Sequence, residues 1–554
     1  MVNYIFIHNL IKNSGKHNFE LCRIPIYSKL NIEFIRRNLL DYEDKQVCDF
    51  LEFGWPIGHI GKPFTSTVRK NHGGATEFPE DINKYLNKES DYRSVLGPFK
   101  NSPFEQIALS PLNSVPKRDS QERRVILDLS FPESISVNDG ILKDNYLGEN
   151  ISVSYPSVDD LISLIKIKGI GCKIFKRDLK RAYRQLFLDP GDIHLLGYKW
   201  KNHFYFDTAL TMGLRSAAYI CMRTTDIIRF ICQKNDIQIL NYLDDLAGCE
   251  DSSKSDYAFE YLGDVLKNCG FEESAQKASP PNTQMLFLGV LFDTERFTIS
   301  IDTDRLSEIL SLVETWLNKF KATKRELQSL LGKLNFVAQC VKPGRIFVSR
   351  MLNLLREIGE EKDFIISDDF KLDLHWWCTF LPLYNGISIM ISEDFNKPDE
   401  VFSVDACLTG CGGWLDGRYF HATFPDFILN KKLNINLCEM LTIVVAVKLW
   451  GSLLANKKVV INCDNLVSVR VLNTGASRNL FLQSSLREIC FEAALHNFEL
   501  KGQHIAGSEN RIPDLLSRWD LDHKYQEQFY VATANFNLIK EYIHDDLFRF
   551  SNIW

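Results

Sequence analysis

Asp244 and Asp245 stand side by side in Tyr242-Leu243-Asp244-Asp245, with apolar residues on both sides. Adjacent carboxylates at an apolar turn raise each other's pKa unless a cation neutralises them. A divalent ion does so at low cost, because Mg²⁺ takes one or two carboxylates together with substrate phosphate oxygens. A third carboxylate would complete a two-metal site, with ions about 3.5–4 Å apart. Asp178 is the candidate. It ends the run GCKIFKRD and is ringed by Lys176, Arg177, Lys180 and Arg181. A bare Asp-Asp pair is most often a solvated turn.

A second set of acids is spread more widely. Asp405, Glu439, Asp464 and Asp514 are separated by 34, 25 and 50 residues. Asp405 and Asp464 end apolar strand-like runs, and Glu439 and Asp514 fall near helix starts. Strand ends and helix starts can converge from distant sequence. Four carboxylates cannot share a half-buried site without metal. Two Mg²⁺ ions there would activate water and stabilise a leaving 3′-oxygen in phosphodiester hydrolysis. The bland reading is four unrelated acids. Cys407 and Cys411 form a Cx3C pair with no further ligands nearby in sequence, which reads as packing.

The wording around these acids carries a resemblance. YLDD after an apolar strand, FKRDLKRAY (175–183), TALTMGLRSAAYI (208–220) and FLGV (287–290) resemble, in order, the palm motifs of reverse transcriptases. RRVILDLSFPESISVNDGI, RDLKRAYRQLFLDPGDIHLLGYKW and FDTALTMGLRSA resemble the enzymes of DIRS-type retrotransposons, the tyrosine-recombinase class. VDACLTGCGGW, NLCEMLTIVVAVKLW, NCDNLVSVRVLN and HIAGSENRIPDLLSRW resemble the four blocks of retroelement RNase H domains. The resemblance covers roughly residues 30–520.

What the resemblance implies is specific. The fold would be α/β multidomain: an α+β palm in a right-hand polymerase with fingers, palm and thumb, followed by an RNase H-like mixed-sheet domain. Asp178 and Asp244 would bind two Mg²⁺ (Mn²⁺ being possible), with Asp245 alongside. Tyr183 would stand at the steric gate that excludes a ribose 2′-OH. Lys117 and Arg124 would hold the triphosphate. Gly213 would let the backbone approach the base pair, and Lys277 would protonate pyrophosphate. Asp405, Glu439, Asp464 and Asp514 would bind the RNase H metals, with His504 assisting proton transfer or product release. Partners would be an RNA template, a DNA primer, RNA–DNA hybrid and dNTPs. Thr211, Met212 and Ala218 depart from the family pattern Pro-Phe-Gly-Leu-Arg-Ser-Ala-Pro, which bears on nucleotide selectivity and loop rigidity. The rival readings are a catalytically inactive nucleic-acid-binding descendant and a fragment of a gypsy-type polyprotein. All seven carboxylate positions being intact favours the enzyme; the lack of a protease triplet or integrase-like region fits the DIRS type better, and truncation would explain the same lack.

The elements needed to position these residues are legible in outline. RRVILDLS (123–130) and GCKIFKRDL (171–179) read as strands. Runs on either side of Lys201-Asn202 read as a hairpin, and residues 237–250 as a hairpin with the acids at its turn. Helices are expected over 214–234 and about 253–269, and MLFLGVLFD with RFTISID forms another hairpin. Thr323-Lys-Arg-Glu326 is a capping box opening a helix through about Val341. Residues 386–400 read as a linker. Then come a strand at 401–405, a turn at Asp416-Gly417, a helix from Leu437, a strand at 459–464, a helix near 481–496, a final strand in FELKGQHIAG and a short helix at 512–519.

Composition bounds the rest. The chain has 554 residues, 45% hydrophobic and 25% charged, with 65 Lys plus Arg against 71 Asp plus Glu, a net charge of −6. A disordered chain, a disulfide scaffold and a uniformly basic binder are excluded; a local basic groove is not. The 14 cysteines include no CxxC, against a zinc ribbon. Expected divisions are a 1–100 extension, 101–300 fingers and palm, 301–398 helical thumb/connection, 399–520 RNase H-like domain and 521–554 tail. MVNYIFIHNLI is not read as a signal peptide. The apolar run Leu437–Ala455 contains Glu439 and Lys448, which makes it a buried helix rather than a membrane span. An intracellular location, cytoplasmic or nuclear, is expected. Lys319, Lys321, Lys324, Arg325, Lys333, Lys342, Arg345 and Arg350 suggest a basic helix face that could follow a phosphate backbone.

Overall fold

The computed structural model describes residues 25–61, 66–67, 70–117, 122–358, 363–390, 395 and 397–554. The apolar start MVNYIFIHNLI and the last two residues of GWPIGHIGKP lie outside them. The chain forms two compact units, 1–285 and 286–554, so the division falls inside the stretch read as fingers and palm.

In the first unit, helix α1 (Pro79–Asp91) precedes the hairpin of β1 (Leu112–Pro116) and β2 (Arg123–Leu127). Then follow β3 (Lys173–Asp178), α2 (Ala217–Gln233), the hairpin of β4 (Ile239–Tyr242) and β5 (Asp245–Glu250), α3 (Ser255–Cys269) and β6 (Ser279–Asn282). The sheet order is β4-β5-β3-β6, antiparallel throughout. Two helices explain why it has a buried face. α2 buries Ile220, Thr224, Ile227, Ile228 and Ile231, and α3 buries Ala258, Leu262, Val265, Leu266 and Cys269. Each set follows the spacing i, i+4, i+7, i+8, i+11, one stripe of a helix. α3 stops at Gly270, whose φ of +85° suits a helix C-terminus. A hairpin of Gly197–Trp200 and His203–Asp207 turns at Lys201 and Asn202, both with positive φ, as the sequence suggested.

Residues 25–100 share this core. Leu30, Ile35, Leu51, Trp55 and Ile82 belong to one apolar cluster with Phe175, Leu246 and Leu262. Each large side chain so buried contributes about 1.5–3 kcal/mol. Packing is therefore one role of this segment.

The second unit opens with a hairpin of Val290–Asp293 and Thr298–Ser300, followed by helices. Thr323 caps Lys324–Ala338 through a capping box with Glu326, so the predicted start holds and the helix ends about a turn earlier than expected. The basic face is partly committed: Lys319 pairs with Glu326, Lys333 with Glu308, and Arg350 turns inward to buried Asp373 at 2.9 Å. The stretch read as a linker contains a strand, Ile387–Ile389, paired with Thr298–Ser300. Three residues between polar neighbours give too short a pattern to register as periodic.

A mixed sheet follows, built from β7 (Glu400–Ala406), β8 (Gly410–Leu415) and β9 (Arg418–Thr423), helix α4 (Ile435–Leu454), β10 (Lys458–Cys463), helix α5 (Leu480–Leu495), β11 (Glu499–His504) and helix α6 (Arg511–Ser517). The order is β11-β10-β7-β8-β9, continued by Ile539–Lys540 at the edge of β9. That edge strand corrects the expectation that β11 is the last. β7, β8 and β9 are antiparallel; β7–β10 and β10–β11 are parallel. α4 is long and apolar enough to cross a membrane by length and composition alone. Here Met440, Ile443, Val444 and Val447 are fully buried inside the unit, as a helix apolar all round requires. The tail is also packed in: Phe529, Phe548 and Trp554 are buried. The fold class is α/β multidomain, as expected.

Two candidate carboxylate sites

The first site is a product of strand register. β5 pairs with β3 so that Asp245 lies directly opposite Asp178, and Tyr242 pairs with Asp245 across the β4–β5 hairpin. Leu243 and Asp244 form its two-residue turn, Leu243 with φ +56°. The Asp244 carbonyl accepts from the Leu179 N–H at 2.9 Å, tying the turn to the end of β3. All three acids therefore meet at one end of the sheet. Lys277 Nζ donates to Asp178 Oδ2 at 3.0 Å, and Lys176 Nζ lies 3.3 Å from Asp245 Oδ1.

Burial pushes the Asp178 carboxyl up; Lys277 opposes this, and the Asp244 and Asp245 charges add to it. Burial also raises Asp244, with Asp245 adding to it. Asp178 Oδ1 is buried and has no hydrogen-bond partner. Such an atom costs ~1–3 kcal/mol unless something binds it. An all-oxygen donor set with an orphaned carboxylate oxygen fits a hard divalent cation.

Tyr183 sits in a short 3-10 turn, Ala182–Gln185, half-buried. Burial raises its hydroxyl, and the neighbouring Cys221, Tyr155 and Asp244 groups raise it further. Gly213 has φ +94°, a conformation glycine adopts without strain. Its carbonyl accepts from Asn138 Nδ2 at 2.8 Å, and Asn138 Oδ1 accepts from the Arg215 N–H at 2.8 Å. Asn138 thus fixes the loop that lacks the family's prolines. Only its burial between two loops reveals the role. Lys117 pairs with Glu122 at 2.5 Å, and Arg124 stands exposed on β2 opposite Val115. Among the described residues neither bonds to the three carboxylates; both line a separate groove with Thr211 and Met212.

The second site assembles Asp405 on β7, Glu439 on α4, Asp464 just past β10 and Asp514 on α6. Asp405 and Glu439 are 4% and 3% exposed. Burial pushes Glu439 up to about 9, with Asp405 and Asp464 adding to the shift. Asp405 is pushed up to about 7 by burial, against a Ser517 hydroxyl hydrogen bond, with Asp464 and Asp514 adding. Burial raises Asp514, Arg518 opposes it at 2.6 Å, and Asp464 adds. These cross-couplings bring the four separated acids into one electrostatic cluster. Glu439, Asp464 and Cys463 offer ligand atoms within 4.8 Å of one another. Cys463 directs its thiol to Glu439 Oε2 at 3.8 Å. Mutually repelling, partly buried carboxylates can be neutralised by a divalent cation.

His504 reaches the site's edge: its Nε2 lies 3.1 Å from the Asp464 carbonyl oxygen, and the ring is exposed. Cys407 and Cys411 do not converge on a metal: Cys411 is fully buried, and Cys407 Sγ contacts the Ser517 carbonyl at 3.1 Å.

Three supporting residues escaped the sequence reading. Ser517 donates to Asp405 Oδ2 at 2.5 Å. Asn510, fully buried, donates to the Val404 carbonyl at 2.9 Å and pins α6 to β7. Gly412 lies opposite Asp405 in the sheet. A Cβ there would meet Leu516 Cβ at 2.4 Å, so the missing side chain lets α6 approach with Asp514. The glycine run GCGGW was the available signal. Gly412→Ala is expected to push α6 outward, costing ~1–3 kcal/mol. Urea denaturation should register it.

No family model matches the chain. Over 469 residues it is 23% identical to the enzymatic polyprotein of cauliflower mosaic virus (strain Strasbourg), covering 79% of this chain and 61% of the relative. The strain D/H polyprotein matches equally, at 23% over 469 residues. Among solved structures, the foamy viral protease-reverse transcriptase dRH in complex with double-stranded DNA is 14% identical. The match covers 87% of this chain and 83% of that one, with a TM-score of 0.45. The same enzyme with an RNA/DNA hybrid is 16% identical over 86% and 64% of the two chains, TM-score 0.44. The chain is similar to the viral enzymatic polyproteins and spans about three fifths of their length.

Proposed function

We propose that this chain is an RNA-directed and DNA-directed DNA polymerase of a retrotransposon, with a fused RNase H that degrades the RNA strand of RNA–DNA hybrids. One observation carries the reading. Each of the seven acids marked by motif lies in one of two carboxylate clusters, although four of them are far apart in sequence. Similarity to enzymatic polyproteins supports a retroelement origin. The DIRS-type assignment rests on the three long motif runs in the first unit.

In this reading residues 101–300 are fingers and palm, 301–398 thumb/connection and 399–520 the RNase H-like domain. Residues 1–100 extend the polymerase and 521–554 form a tail. Asp178 and Asp244, with Asp245 beside them, hold Mg²⁺ in the polymerase; Asp405, Glu439, Asp464 and Asp514 hold it in the RNase H. Bound Mg²⁺ supplies charge neutralisation and Lewis acidity to phosphoryl transfer. The protein's residues position the rest. Lys117 and Arg124 take the triphosphate charge. Gly213, clamped by Asn138, lets the backbone reach the base pair. Lys277, already on Asp178, delivers a proton to pyrophosphate, and His504 assists proton transfer or release at the second site. RNA template, DNA primer, hybrid and dNTPs are the partners, and the enzyme works inside the cell.

Tyr183 gives a sharp prediction. Its ring, beside Asp244, is the gate against a 2′-OH. Tyr183→Val should raise incorporation of ribonucleotides relative to deoxynucleotides at least about tenfold. Single-nucleotide extension with each substrate reads this out. The overall test is a labelled DNA primer on an RNA template with dNTPs and Mg²⁺: the primer should lengthen and the RNA shorten. A folded protein that binds the hybrid but does neither is the inactive descendant instead.

A further inference from the structure

Helix α1 forms one wall of a groove of about 540 Å³ in the first unit. The β1–β2 hairpin and the Thr211–Met212 segment beside Gly213 form the others. Lys84 and Lys88 of α1 line it together with Lys117 and Arg124. No motif marks the two α1 lysines.

The charges in this groove divide into two groups. Glu89 accepts from Arg181 at 2.6 Å and from Arg184 at 3.0 Å, and Arg184 also binds Asp207. Arg181 further lies over the Tyr92 ring, 3.5 Å from its centroid. Arg123 bonds to Ser114 and lies 3.7 Å from Asp81. Lys117 holds Glu122. Among the described residues, every acid lining the groove therefore already faces a base. Lys84, Lys88 and Arg124 are exposed and are not held in ion pairs among the described residues, so the groove carries an excess of positive charge. Lys84 and Lys88 also stand four residues apart, on one helix face, where like charges repel. An anion in the groove relieves that repulsion. The Glu122 carboxyl is lowered first by Lys117 and then by Lys84 and Lys88.

We propose that Lys84 and Lys88 bind the β- and γ-phosphates of the incoming nucleotide, in one groove with Lys117 and Arg124, and hold the departing pyrophosphate. This rests on the polymerase reading. In the transfer, the primer 3′-oxygen bonds to the α-phosphorus and its proton passes to solvent. The bond from the α-phosphorus to the α–β bridging oxygen breaks, and pyrophosphate leaves with the electron pair. The negative charge thus gained falls where the lysines stand.

The test compares the full chain with Lys84→Gln/Lys88→Gln and with Lys84→Arg/Lys88→Arg. The Gln pair should raise KM for dNTP about tenfold, weaken inhibition by pyrophosphate to the same degree and lower kcat as well. The Arg pair should stay near wild type. Primer–template affinity and its salt dependence should not move. Unchanged KM and unchanged pyrophosphate inhibition would overturn the proposal. So would a loss confined to primer–template affinity with a shallower salt dependence, which gives the groove to a nucleic-acid backbone. If the wild type makes no DNA, the polymerase reading fails by itself. Calorimetry with inorganic tripolyphosphate then decides the groove: weaker binding by the Gln pair supports the proposal, and equal binding overturns it.

Discussion

Glu439→Gln should abolish RNA cleavage in a hybrid and, in the same protein, raise the melting temperature of the metal-free form at pH 7. The two effects share one cause. Glu439 is 3% exposed and pushed up to about 9, so without metal its carboxyl is protonated in the fold at pH 7. In the unfolded chain it ionises near its ordinary value of about 4.3. A carboxyl whose folded pKa is raised favours folding most below the unfolded value. That stability is lost as pH rises from about 4.3 toward 9. At pH 7 the cost is at most roughly 4 kcal/mol. Glutamine mimics the protonated form and removes the cost, so its melting curve in EDTA should vary less with pH between 5 and 9. In the proposed function the same change removes a metal ligand and should slow cleavage by on the order of 10³-fold or more. A variant that melts lower than wild type in EDTA would show that Glu439 is ionised and paired, contrary to the geometry.

Asp178→Asn is expected to be the strongest single block to DNA synthesis, also on the order of 10³-fold or more. The asparagine carbonyl can still accept from Lys277, which now bonds Oδ2 at 3.0 Å, so β3 and its register with β5 should survive. What is lost is the anionic oxygen pair, including the buried Oδ1 that no protein group satisfies. Single-turnover primer extension measures the loss. Hybrid cleavage, followed in parallel, should stay within about twofold, because Asp405, Glu439, Asp464 and Asp514 belong to the other compact unit. An equal fall in both rates would point to misfolding instead.

How much of this was legible beforehand depends on where each signal lives. The strands that end at Asp178 and Asp405 announce themselves by apolar residues stopping at an acid. The hairpin turn at Asp244 follows from apolar runs on both sides. The long stripe of α2 and the Thr323 capping box are local patterns, and both appear as expected. What stayed hidden is contact between distant segments. Ser517 reaches Asp405 across 112 residues, and Asn510 reaches Val404 across 106. No local period encodes such a pair. The same holds for Lys84 and Lys88, which look like an ordinary solvated helix face until the β1–β2 hairpin is set beside them. Arg350 shows the opposite error: helical spacing placed it on a basic face, whereas buried Asp373 draws it inward. The edge strand Ile539–Lys540 is two residues long, too short for any pattern.

The most direct measurement follows synthesis and cleavage in one tube. Wild type, Asp244→Asn and Asp464→Asn are each given a labelled DNA primer, a differently labelled RNA template, dNTPs and Mg²⁺. Two independent carboxylate sites predict that Asp244→Asn loses extension yet still cuts a preformed hybrid. Asp464→Asn should extend the primer at the wild-type rate and leave the RNA intact. If both variants lose both activities while remaining folded, or if neither loses either, these carboxylates do not form the two separate catalytic centres described here.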